Sequence, residues 1–93
     1  MNESKAEASR WLEQAEDDLD FARHAMAGEF FHQVCFISQQ AAEKALKALH
    51  IPTRYPNGLV EGTPRQAFTR SQAERALAAA ETILGSVKTE LGD

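Results

Sequence analysis

The sequence predicts an all-α fold, a small antiparallel bundle of three main helices. Three observations predict it. Apolar residues recur at steps of three and four along most of the chain, the period of a helix with one buried face. No stretch alternates apolar and polar residues as a half-buried strand would. All three prolines, Pro52, Pro56 and Pro64, fall in one segment, so the strongest helix breakers are confined to a single connection.

The first helix is expected over about residues 4–27. Trp11, Ala15, Leu19, Ala22 and Met26 line one face, with Leu12 and Phe21 widening it. Glu13, Glu16, Asp17 and Asp20 fall away from that face. Ser4 and Glu7 have the spacing of a capping box, in which hydroxyl and carboxylate satisfy free amide donors. Gly28 is the expected stop, because glycine tolerates the left-handed cap.

The second helix is expected over about residues 29–50. Phe30, Val34, Ile37, Ala41 and Ala48 form one stripe. Phe31, Cys35, Ser38, Ala42, Ala45 and Leu49 form the next, so the apolar arc is wide enough for a central helix. The small residues in it allow a neighbouring helix to approach closely. Glu43, Lys44 and Lys47 mark the wet side, and one of Gln39 and Gln40 is expected at an interface edge.

Residues 51–68 cannot be helical throughout, with three prolines, Gly58 and Gly62 among them. Pro56-Asn57-Gly58 signals a turn. A connection this long in so small a domain is usually functional or packed against the body. The third helix is expected over about residues 69–91, opened by a second capping box, Thr69-Arg70-Ser71-Gln72. Ala73, Leu77, Ala80, Leu84, Val87 and Leu91 follow at helical spacing, Gly85 weakens the last third, and Gly92 ends it.

With 93 residues, the chain is expected to form one domain with a modest core, for which self-association is the cheapest reinforcement. The 43% apolar fraction excludes a disordered chain. No apolar run approaches the ~20 residues needed to span a bilayer. The first residues lack a hydrophobic signal region, and Cys35 has no second cysteine to pair with. Together these lead to the expectation of a cytoplasmic protein without a membrane role.

A net charge of −4 argues against a general nucleic-acid binder. The charge is nevertheless uneven. Residues 1–29 hold three cations against eight carboxylates, and residues 44–70 hold five cations against one. An acidic first helix and a basic middle are expected to attract each other, within one chain or across a dimer.

Two blocks carry a resemblance. Trp11-Leu12-x-Gln14-Ala15-x-x-Asp18-Leu19, with Ala22-Arg23, resembles the start of HEPN domains. Cys35-Phe36-x-x-Gln39-Gln40-Ala41-Ala42-Glu43-Lys44-Ala45-Leu46-Lys47-Ala48-Leu49 is similar to the second helix of that family. The likeness continues through Ile51-Pro52-Thr53-Arg54-Tyr55-Pro56-Asn57 and into Phe68-Thr69 and Ala73-Glu74-x-Ala76-Leu77. The resemblance implies a compact antiparallel helical bundle, commonly a homodimer. It also implies a stand-alone protein paired with a minimal nucleotidyltransferase, in some pairs as an RNase toxin and in others as a nucleotide-binding or assembly module.

The chain departs from the family pattern twice. Members with RNase activity carry an Arg followed four to six residues later by a His on one helix, and no Arg here meets that rule. Arg23 directly precedes His24, and no His follows Arg54, Arg65, Arg70 or Arg75. The family also usually inserts a further helical stretch between blocks like Leu49-His50 and Ile51-Pro52, which are joined directly here. The resemblance therefore reads as a shortened HEPN-like bundle.

Arg54 and Tyr55 are the leading candidates for binding phosphate or nucleotide, because a guanidinium grips phosphate in a bidentate way and a tyrosine stacks on a base. Arg65 is a further phosphate candidate. A structural ion pair for Arg54 and a packing role for Tyr55 are the plain alternatives. Of the three histidines, His50 adjoins the basic segment and is the candidate acid or base, with Arg54 as its partner. No two histidines have the spacing of a helical metal site, so no metal and no cofactor are expected. Cys35 is expected to be an inert thiol, since no helix start or cation is at hand to activate it.

The functional expectation is a toxin-like or accessory component of a two-gene system with a nucleotidyltransferase, a homodimer binding RNA, a nucleotide or the partner protein. The alternatives are a metal-independent RNase with an atypical site, and a purely structural helical dimer.

Overall fold

The computed structural model describes residues 2–50 and 68–92. The described chain is α-helical, in the order α1 (Asn2–Ala27), α2 (Phe31–Ala48) and α3 (Arg70–Glu90). Helix α1 starts at Asn2, so Ser4 lies inside its first turn and not at the N-cap. The strong helix formers around Lys5-Ala6-Glu7-Ala8 let the helix propagate upstream of the expected cap.

The turn between α1 and α2 differs from the sequence expectation. Glu29, not Gly28, takes the left-handed conformation, with φ 64°. The amide of Glu29 donates to the Met26 carbonyl at 3.0 Å, and the amide of Phe30 donates to that of Ala25 at 2.9 Å. These two bonds are a Schellman closure, with the left-handed residue just past the helix. Gly28 itself lets the Phe30 ring lie close against the backbone. A Cβ there would lie 2.6 Å from the Phe30 ring. Because Glu29 and Phe30 are used in the turn, α2 begins at Phe31 and not at 29.

Helices α2 and α3 are each also followed by a left-handed residue. His50 has φ 60° and donates its amide to Lys47, and Gly92 has φ 84° and donates to Thr89. The capping box at the start of α3 is present. The Gln72 amide donates to Thr69 Oγ1 at 3.2 Å, and the Thr69 amide donates to Gln72 Oε1 at 3.0 Å.

Trp11 meets Lys47 while Asp18 pairs with Lys44, and Glu16 pairs with Lys88 while Arg23 pairs with Glu81, so α1 runs antiparallel to both neighbours. Helices α2 and α3 therefore run parallel to each other, with Arg70 over the Phe31 ring near their starts. A short turn forces antiparallel neighbours, as at 28–30. Parallel neighbours need a connection that returns along the bundle, and the long 51–67 segment joins His50 at one end to Phe68 at the other.

The core is built mainly of alanine. Among the described residues, ten of sixteen buried apolar residues are Ala, joined by Leu12, Leu19, Val34, Ile37, Leu84 and Val87. Small side chains bring helix axes close together, as expected for α2, where Ser38, Ala41, Ala42 and Ala45 are all buried. Trp11, Leu46, Leu49, Leu77 and Ile83 pack half-buried against the core, and Met26 and Phe31 do so at the other end. Phe21 and Phe30, expected on the buried faces of α1 and α2, are each 60% exposed. Phe21 lies well off the centre of the α1 stripe, and Phe30 is used in the turn. Leu91, expected on the apolar face of α3, is an exposed C-cap residue.

Candidate functional site

His50, the expected acid or base, ends α2 as an exposed residue held in the left-handed turn. Arg54, Tyr55 and Arg65 lie outside the described residues. The start of α3 lies at the opposite end of α2 from His50, so His50 is remote from the cluster that forms there.

That cluster was not legible in the sequence. Arg70 Nη2 donates to Glu29 Oε2 at 2.8 Å, while its guanidinium sits 5.1 Å above the centre of the Phe31 ring. The His32 ring meets that of Phe68 edge-on at 5.1 Å, and its Nδ1 is buried without a hydrogen-bond partner among the described residues. The parallel packing of α2 and α3 brings these groups together from positions about forty residues apart, and no local pattern marks them. The cluster offers a cation, an imidazole and two aromatic faces, but Arg70 is already engaged by Glu29.

At the other end, Lys47 Nζ lies 4.8 Å above the Trp11 ring, one turn before His50. Between α1 and α3 runs an open groove of about 250 Å³, lined by Glu16, Asp20, Arg23, Glu81, Gly85 and Lys88 among others. Its cations are neutralised. Arg23 donates through Nε and Nη2 to Glu81, at 3.0 and 2.8 Å, and through Nη1 to Asp20. Lys88 pairs with Glu16.

The expected attraction between the acidic first helix and the basic middle is realised within the chain, as Asp18–Lys44 and Glu29–Arg70. Among the described residues, no group of His, Cys, Asp and Glu is placed to hold a metal ion. Burial raises the pKa of the half-buried Cys35 thiol, which leaves it less nucleophilic near neutral pH. No helix among the described residues is long and apolar enough to cross a membrane.

Fold and site define an α-helical bundle whose first helix pair is closed by a tight turn and whose third helix returns parallel to the second. Residues 8–52, most of α1 and all of α2, match the family model described as HEPN domain. The whole bundle is similar to the crystal structure of an archaeal HEPN homologue. The TM-score is 0.74 at 29% identity, over 89% of this chain and 96% of that one. The comparison with curated proteins finds no match. Both matches support the HEPN domain family.

Proposed function

We propose that this HEPN protein acts by binding and not by catalysis, as the toxin-like or accessory component of a cytoplasmic two-gene system with a nucleotidyltransferase. Its ligand is RNA, a nucleotide or the partner protein, met by the basic segment that contains Arg54, Tyr55 and Arg65. The observation that carries this reading is the sequence itself. The family's Arg–His pair, which performs RNA cleavage in its RNase members, is absent from all 93 residues. The arginines at Arg23 and Arg70 support it, because carboxylates already occupy both.

The test incubates the purified protein with total RNA, beside Arg54→Ala and His50→Asn variants. Asparagine removes the imidazole while tolerating the left-handed turn at position 50. The binding reading expects intact RNA and salt-sensitive association weakened by Arg54→Ala. Cleavage abolished by both variants would replace it with an RNase in which His50 is the base and Arg54 stabilises the developing charge. If neither cleavage nor association with RNA, nucleotide or nucleotidyltransferase is found, a structural helical dimer is the remaining reading.

A further inference from the structure

Gly85 stands inside α3, where glycine is the poorest helix former after proline. Crowding does not require it, since a Cβ built there meets no atom within 4 Å. Gly85 opens onto the α1/α3 groove, whose floor is Leu19 and Leu84. Ala78, Thr82 and Thr89 follow the same outer ridge of α3, at helical steps from Gly85, and all three are exposed, small and uncharged. The solvent face of a helix is normally charged, whereas a low ridge of this kind lets another helix axis come close.

The edges of the groove are acidic. Its two cations, Arg23 and Lys88, are held by Asp20, Glu81 and Glu16. Two further exposed carboxylates extend the edges, Glu13 three residues before Glu16 and Glu74 seven residues before Glu81. Neither has an ion-pair partner among the described residues. The groove therefore carries five carboxylates against two cations.

We propose that the α1/α3 groove seats a basic amphipathic helix of another protein. The small or apolar stripe of that helix lies on Gly85, and its lysines and arginines run along the acidic edges. The trough between two antiparallel helices has the shape for a rod, and the added helix completes a four-helix bundle. Charge selects the occupant. No described helix of a second copy offers the complementary surface. Helix α1 is acidic, α3 holds three cations against three carboxylates, and α2 offers only Lys47 beyond the Lys44 that Asp18 already engages. This proposal is independent of the ligand-binding reading, in which the basic segment meets an anion.

Fluorescence anisotropy of the full chain with two labelled helical peptides of about five turns tests it. Both peptides carry one stripe of alanine and leucine, flanked by lysines in one and by glutamates in the other. The lysine peptide is expected to bind and the glutamate peptide not to bind. Gly85→Leu fills the trough without changing charge and is expected to raise the dissociation constant at least ~10-fold. Glu13→Gln combined with Glu74→Gln is expected to do the same through charge. Ala79→Leu, exposed on another flank of α3, leaves the constant unchanged. Gly85→Leu is also expected to resist urea better than the parent chain, since its site is open and leucine is the better helix former. That result separates a blocked seat from a damaged bundle. No binding of the lysine peptide, equal binding by Gly85→Leu, or a loss of stability in that variant would each overturn the proposal. So would a dimer in sedimentation equilibrium that Gly85→Leu dissociates, because the groove would then hold a second copy.

Discussion

Lys44 Nζ lies 2.8 Å from Asp18 Oδ2, and their side chains are only 26% and 22% exposed. The other ion pairs of the bundle are much more open, so this one is the electrostatic link most shielded from water between α1 and α2. Removing one partner strands a partly desolvated charge. Asp18→Asn is expected to cost about 1–2 kcal/mol, between the ranges for exposed and buried pairs. A urea-denaturation double-mutant cycle with Lys44→Met measures the coupling. A coupling near zero would show that the pair is no more than a surface contact.

Ser38 is 1% exposed and its hydroxyl has no hydrogen-bond partner among the described residues. An unsatisfied buried hydroxyl is a cost to the fold, and alanine is also the better helix former. Ser38→Ala is therefore expected to raise stability by about 1 kcal/mol, seen as a higher urea midpoint at unchanged slope. A loss of stability would mean that the hydroxyl is satisfied by a group such as a bound water.

Leu19 is 2% exposed, and Ala45 is fully buried where α2 meets its neighbours. The two positions fail in opposite ways. Leu19→Ala opens a cavity and is expected to cost about 2–5 kcal/mol. Ala45→Leu forces closely packed helices apart and is expected to cost about 1–3 kcal/mol or more. If thermal unfolding showed Ala45→Leu to be neutral, the helix crossing would be looser than the burial of Ala41, Ala42 and Ala45 indicates.

The capping box at Thr69 closes the start of α3 with two hydrogen bonds. Thr69→Ala is expected to lose about 1 kcal/mol, and Thr69→Ser to retain most of the stability. Amide hydrogen exchange in the first turn of α3 reports the loss locally. Unchanged protection there in Thr69→Ala would remove the cap from the account.

The raised pKa of Cys35 comes from burial. Because burial disfavours the thiolate, alkylation at neutral pH is expected to be slower than in the urea-unfolded chain. Its pH midpoint is expected to shift upward in the native protein. A midpoint below that of the unfolded chain would reveal an activated thiol and contradict the inert reading.

The sequence by itself determined the helical class, the Thr69 cap and the small-residue seam of α2, because these depend on local periodicity and on which side chains reach nearby amides. The resemblance carried by Trp11–Leu19 and Cys35–Leu49 led to the family for the same reason, since both blocks lie within single helices. Tertiary structure alone decided the rest. Gly28 looked like the left-handed stop, yet the Schellman bonds from Glu29 and Phe30 put Glu29 at that position. Phe21 fits a helical period, but only the positions of α2 and α3 around α1 show that its side of the helix stays open. The meeting of Arg70 with Phe31, and of His32 with Phe68, arises from α3 returning parallel to α2. Local sequence sets the periodicity of each helix. The direction in which a helix returns is set by the length of the connection and by the fit of the packed faces, a property of the whole chain that no single segment encodes.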